Sequence, residues 1–411
     1  MSRTDLQTWS ARLDSCCLYL GSSLPVAVIT GNAAFETVLA LVAAAWIARS
    51  ILARESLLPV MKHSLVTPWL AWYSAIILSV LFNIPGGKGW IHDLAYVRYI
   101  IFVMAMFDVS RRRPVAGHLL AGLACAVVFA AINTVMAYST GHDIIGRPLT
   151  RYTQRLKEAE RIAGFSAYAA PFFLGWSLLG RTPDRLARAG IFSTGLTACI
   201  QLIQGHTRTA WIACAAALYF YLIYACRKRR AVLAGLAVFF VACVYLGIHL
   251  FQTGNFGQPY SWYHRIYIWK ICWFVWLDDP VFGAGISSFR DVFREISMTG
   301  IVPDVQELTA LNVDLSDAYH AHNLFLMLLC TTGLIGLGSF LWLLFNSIRM
   351  IFQDVQGWRT GLISWPVVLF VCGLTGYNIF HGWYQAVFTF FIVLIGTSPR
   401  ETRTFVQGQG I

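Results

Sequence analysis

His320, His322 and Asn323 close a polar segment, and an apolar run follows from Leu324 through Gly333 and Gly336. Histidine is the side chain whose ordinary pKa lies near working pH. At the mouth of a membrane span, where water meets lipid, its imidazole suits proton transfer. The same residues also suit a plainer role, hydrogen bonding at the interface without chemistry. The cations around them are arginines. Thr207-Arg208 opens another apolar run, and Arg265 lies in the tryptophan-rich stretch 261–276. Arg147, Arg151 and Arg155 recur every four residues, which predicts one helical face. Guanidinium pairs bidentately with phosphate and stays charged at any relevant pH. An arginine at a span's end also serves as an ordinary headgroup anchor. The acids between spans are scattered, with no DxD pair and no HExxH helix. The expectation is therefore no metal and no cofactor, with arginines carrying any phosphate.

These residues need a scaffold, and composition says which kind. The chain is 57% hydrophobic and 12% charged; soluble domains carry roughly 25% charged residues. It reads as an all-α, polytopic integral membrane protein. A span needs about 20 mostly apolar residues. That length predicts about twelve: 15–31, 34–52, 65–84, 92–109, 117–138, 162–180, 189–204, 209–226, 231–251, 322–347, 360–378 and 381–396. No removable signal peptide is expected ahead of them. The ten cysteines fall mostly in apolar runs without a CxxC pair and read as packing residues. The net charge of +11 has no soluble domain to display it, so no nucleic-acid partner is expected.

Charge placement orients the spans. With both termini in the cytoplasm, the basic clusters Arg111-Arg112-Arg113 and Arg227 to Arg230, and most of the 31 lysines and arginines, fall inside. The chain then divides into spans one to nine (1–251), an outer loop with interfacial helices (252–321), and spans ten to twelve with a cytoplasmic tail (322–411). In the outer loop, Trp262, Ile266, Trp269, Trp273 and Trp276 share a helical stripe. The stripe lies in the headgroup layer or packs on other spans. Asp278 to Ile286 reads as a Pro/Gly turn, after which Ser287 caps a short helix running to Met298.

On the outer side of a bacterial membrane there is no nucleotide pool, so a sugar donor must arrive already activated. Lipid-linked sugars, joined through pyrophosphate to a polyprenol, are such donors. They call for cations to hold two phosphates and a base for an attacking hydroxyl, here His322 or His320. A transporter of the same lipid-linked glycan is the alternative of a different class. It predicts mid-membrane charges and symmetric halves, whereas the polar residues here crowd the outer ends.

His322-Asn323, nine residues and then Gly333-Leu-Ile-Gly336 resemble the His-Asn-x9-Gly-x-x-Gly pattern of the O-antigen ligase and polymerase superfamily. Thr207-Arg208, Arg265-x3-Trp269 and Pro280-x2-Gly-x-Gly285 resemble it in the same order. The resemblance covers about residues 205–340. It implies a metal-independent, inverting glycosyltransferase of GT-C type in a Gram-negative inner membrane, with its active site facing the periplasm. It makes His322 the base and gives the undecaprenyl pyrophosphate-linked glycan to Arg208 and Arg265. His320, Asn323, Arg147, Arg151 and Arg155 become auxiliaries, and Gly333 and Gly336 permit close helix approach. Membrane lipid surrounds the chain, and the acceptor is lipid A-core for a ligase or a second lipid-linked glycan for a polymerase. A single dominant outer loop favours the ligase. Family members often carry an acid just before the first glycine, where this chain has Thr331-Thr332.

Overall fold

The computed structural model describes residues 3–83, 89–149, 159–181, 184–205, 207–235, 238, 260–302 and 318–397. Among these, every regular element is helical. The helices are α1 (Arg3–Thr30), α2 (Asn32–Ala53), α3 (Leu58–Met61), α4 (Val66–Phe82), α5 (Gly89–Leu94), α6 (Val97–Ser110), α7 (Ala116–Thr140), α8 (Ala159–Leu179), α9 (Arg185–Gln204) and α10 (Arg208–Cys226). After them come α11 (Tyr260–Asp278), α12 (Phe289–Met298), α13 (Leu324–Gln353), a 3-10 turn (Gly357–Ile363), α14 (Ser364–Thr375) and α15 (Gly382–Gly396).

Nine candidate spans among the described residues are long and apolar enough to cross a membrane, and Val66–Phe82 and Gly382–Gly396 are shorter apolar helices. The chain is an all-helical, polytopic membrane protein. Eleven of the expected spans coincide with these segments. The ninth, 231–251, lies mostly outside the described residues, as do the expected boundaries at 251–252 and at 317.

The bundle is centred on α15, which is buried at every residue from Trp383 to Gly396. A helix apolar on all sides must be enclosed by others, and α1, α2, α6, α8 and α13 surround it. Its 15 residues rise only about 22 Å, less than the roughly 30 Å of a hydrocarbon core. It is thus an interior post that sets the height of the chain segment leading into it, 376–381.

Polar side chains gather at both ends of the bundle. At one end Asp14 and Asp108 meet Arg49 and Arg112: Arg112 reaches each carboxylate at 2.9 Å, and Arg49 approaches them at 3.4 and 3.6 Å. At the other end Arg98 pairs with Glu36 at 2.7 Å. There Tyr96 donates to the Phe380 carbonyl at 2.6 Å and Tyr99 to the Gly382 carbonyl at 3.0 Å. Those two bonds pin the approach to α15.

Helix α13 is broken. Gly333 takes φ 62°, ψ −164°, inside an otherwise helical run. The break frees backbone groups, which must be satisfied within the protein when water is excluded. The Pro280–Gly285 turn supplies the partners. Ala284 N donates to Cys330 O at 2.7 Å and Gly285 N to Thr331 O at 3.0 Å. In return Leu334 N donates to Pro280 O at 3.0 Å and Ile335 N to Val281 O at 3.4 Å. Ser79 adds a bond to Thr331 O at 2.7 Å, and Asn83 bonds Asp279 at 3.1 Å. A Cβ on Gly333 would overlap the Val281 backbone, and one on Gly283 would come within 2.6 Å of the Thr332 and Gly333 nitrogens. The two glycine motifs therefore have one cause, a turn seated in a split helix. The close approach at Gly333 is made by a turn rather than by another helix, and a Cβ on Gly336 would meet Thr332 of its own helix.

Two sequence expectations are corrected here, and one that stood open is divided between its two readings. Ser287 does not cap α12. Its hydroxyl bonds the Asp93 carboxylate and the Gly89 carbonyl, tying the turn to α5, and Ser288 is the N-cap residue. The tryptophan stripe of α11 divides: Trp269 and Trp276 pack against the core, and Trp273 faces outward. Tyr267, Ile268, Ile271, Cys272 and Val275 are buried, whereas Trp273 is 50% exposed. The smaller side chains let α11 approach α13 closely, with the Cys330 thiol 3.0 Å from the Cys272 carbonyl. Arg147 is not on a helix: it lies in a turn where Asp143 N donates to Arg147 O at 2.8 Å. Arg151 and Arg155 lie outside the described residues.

Candidate active site

The site is built where α10, α11, α13 and the 376–381 turn meet at one end of the bundle. Asn323 is the N-cap of α13. Its side-chain oxygen accepts from Leu326 N at 3.0 Å, satisfying a donor that the helix start leaves open. Its amide nitrogen donates to Leu374 O at 3.4 Å, joining the histidine segment to the end of α14. From the other side, Trp269 of α11 donates to Ala321 O at 2.9 Å. The carbonyl between the two histidines is thereby held by α11.

So clamped, His322 takes φ 49°. A residue with a side chain adopts this left-handed region rarely and at a cost, and such strain concentrates at functional sites. The His320 and His322 rings stand 4.0 Å apart, centre to centre. Both are half-buried.

Electrostatics link the remaining residues. His322 is pushed down to about 3, first by burial and then by the charges of His320, Arg265 and His264. Arg265 is lowered by burial and by Arg208, so the three expected residues Arg208, Arg265 and His322 share one field. His264 is lowered by burial and by Arg265. His320 is lowered by burial and by His381, and His381 by burial and by Arg161. Arg208 is exposed at the start of α10, Arg265 is half-buried, and His381 is exposed. Burial thus favours the neutral form of each of these imidazoles, the form that keeps a lone pair to accept a proton.

Arg147 belongs to a neighbouring cluster. Its Nε lies 2.6 Å from Asp143, and its guanidinium and that of Arg161 both approach Gly31 at the α1–α2 junction. Arg161 is nearly buried and donates to Val28 O at 3.1 Å and to Asn32 at 2.7 Å. Among the described residues, no group of three or more His, Cys, Asp or Glu is placed to hold a metal ion.

Sequence reasoning missed His264 and His381. The signal for His381 was present: like His322, it immediately precedes an apolar run. What hid it was distance along the chain, because only folding brings His381 into the electrostatic field of His320.

An all-helical membrane protein with neutral imidazoles among arginines at one end of its bundle is suited to handling an anionic, membrane-borne substrate. Residues 192–341 match the family model described as O-antigen ligase, and this match supports membership of the O-antigen ligase superfamily. The match spans Arg208, Arg265, His322, Gly333 and Gly336 and leaves out His381. No curated protein matches the chain.

Proposed function

We propose that this protein is an O-antigen ligase: an inverting, metal-independent glycosyltransferase that moves a glycan from undecaprenyl pyrophosphate to a sugar hydroxyl of lipid A-core. The observation that carries the reading is His322. Its imidazole, held toward the neutral form, stands on a backbone in the left-handed region at the head of a broken helix, in the field of Arg265 and, beyond it, Arg208.

In this reading Arg208 and Arg265 bind the diphosphate and hold the anomeric carbon near His322. His322 takes the proton of the acceptor hydroxyl as its oxygen bonds that carbon. The carbon–oxygen bond to the diphosphate breaks, and its electron pair leaves with the polyprenyl diphosphate, where both guanidiniums stabilise it. An empty site makes His322 a weak base. The arriving diphosphate offsets the Arg265 charge and raises that basicity in part, so the base is stronger when donor is present. Asn323 fixes the loop, and His320 lies against the base.

The side of the membrane follows from charge. The Asp14–Asp108 end of the bundle carries Arg111, Arg112 and Arg113, and the positive-inside rule assigns such an end to the cytoplasm. The histidine end then faces the periplasm of a Gram-negative inner membrane.

The test is direct. Purified protein receives undecaprenyl pyrophosphate-linked glycan with lipid A-core, or with a second lipid-linked glycan alone. Transfer to lipid A-core is the expected result. Elongation of the lipid-linked glycan instead identifies a polymerase, and no transfer to either overturns the enzymatic reading.

A further inference from the structure

We propose that the end of α14 sets the separation between the base and the diphosphate cation, with Gly373 and Gly376 as its positioning residues. The inference rests on the glycosyltransfer reading and adds to it two residues outside the family match.

His322 and Arg208 stand at the starts of two different helices, α13 and α10. The diphosphate held by one must present its anomeric carbon to the hydroxyl held by the other, so their spacing has to be fixed. Nothing within either helix can fix it. A third element must touch both, and α14 does so within four residues.

Its contact with α13 lies at Gly373 and Leu374. A Cβ on Gly373 would stand 3.0 Å from Leu324 Cδ2 and 3.1 Å from Leu324 Cβ, so the two helices meet where a side chain is missing. Leu324 is fully buried, opens α13 and follows His322 by two positions. The next carbonyl of α14, that of Leu374, accepts from the Asn323 amide at 3.4 Å. The contact with α10 lies at Gly376. A Cβ there would stand 3.3 Å from both Oγ1 and Cγ2 of Thr209, the residue directly after Arg208.

The spacer is itself held. Gly376 N and Tyr377 N both donate to Cys372 O, at 3.1 and 3.0 Å. The Tyr377 ring stacks on Tyr384 of α15 at 5.0 Å, and the Tyr384 hydroxyl lies 2.6 Å from that of Tyr168 on α8. The end of α14 is therefore anchored to the enclosed post, independently of the two helices that it separates.

A methyl group on either glycine moves one functional helix start and leaves the other. Carbon atoms in ordinary contact lie about 3.5–4.0 Å apart. Gly373→Ala therefore displaces the start of α13 by about half an ångström, because the Leu324 Cβ cannot rotate away. Gly376→Ala displaces the start of α10 by roughly a few tenths of an ångström.

The test measures kcat and both KM values of the full-length protein with undecaprenyl pyrophosphate-linked glycan and lipid A-core. Gly373→Ala moves His322, so kcat should fall about tenfold with donor KM held. Gly376→Ala moves Arg208, so donor KM should rise about threefold with acceptor KM held. Thr209→Ala removes both atoms that the methyl on residue 376 meets. Combined with Gly376→Ala it should return donor KM to the parental value; combined with Gly373→Ala it should leave kcat low. Leu324→Ile and Thr209→Ile press the same two contacts from the other side, and carry the same split where a glycine variant does not fold. A change in the same constant from both contacts, no change from either, or no recovery with Thr209→Ala overturns the spacer alone. A parent protein that transfers glycan to neither lipid A-core nor a second lipid-linked glycan overturns the underlying reading as well.

Discussion

At the scale of residues, in the proposed reading one imidazole and two guanidiniums divide the work, and substitution separates them. His322→Ala removes the base, so glycan transfer should fall by about 10²–10⁴ while the protein inserts at normal abundance. Near-parental transfer by that variant removes the base role. Arg208→Ala and Arg265→Ala each delete a charged hydrogen-bond donor, worth about 1.5–3 kcal/mol. The donor KM should rise about ten- to hundredfold, with acceptor KM little changed; equal effects on both substrates argue against diphosphate binding. Titration gives a further readout. His264, His320 and His322 are all held below their ordinary pKa by burial. As pH falls through the unfolded value of about 6.5, the unfolded chain takes up protons that the folded chain refuses. Stability is therefore whole above that value and declines below it, continuing for His322 toward about 3. The thermal midpoint of the purified protein should drop between pH 7.5 and pH 5.5, and a flat profile contradicts the buried, neutral state.

At the scale of elements, the break in α13 decides the position of the histidines. The turn 280–285 fills the break, and the same helix begins at Asn323 beside the base. Gly333→Ala places a side chain at φ 62°, ψ −164°, a region essentially reserved for glycine, at about 1–3 kcal/mol, and drives it into the Val281 backbone. The expected result is a loss of well over 2 kcal/mol in stability, seen as a lower thermal midpoint and poor recovery of folded protein. Gly338→Ala on the same helix meets nothing within 4 Å and serves as the neutral comparison. If the two variants melt alike, the turn does not need the glycine.

At the scale of the whole molecule, two polar ends hold an enclosed apolar post. The far end is an ion network in which Asp108 accepts from Arg112 at 2.9 Å and from Trp46 at 3.0 Å. Asp108→Ala leaves Arg49 and Arg112 short of a partner at a buried position. Breaking such a pair costs about 3–5 kcal/mol. The thermal midpoint should fall sharply while any surviving protein keeps its substrate KM values, because the network lies at the end opposite the site. An unchanged midpoint shows that Asp14 and Glu55 suffice for the two arginines.

Composition and the length of apolar runs determined the class of protein, since burying backbone in lipid leaves a helix few alternatives. The spacing His322-Asn323-x9-Gly333-x-x-Gly336 singled out the segment that the structure builds as a strained loop, an N-cap and a helix break. Each of these features is local, and local backbone rules write themselves into short spacings. Tertiary structure alone decided which residues gather around His322. Trp269 of α11 reaches the Ala321 carbonyl beside His322, and the Pro280 turn after α11 finds Gly333. It also decided that Trp273 of α11 faces outward while Trp269 and Trp276 pack against the core, and that Arg147 sits in a turn. Periodicity reports which residues share a face, but what that face meets depends on partners distant in the chain.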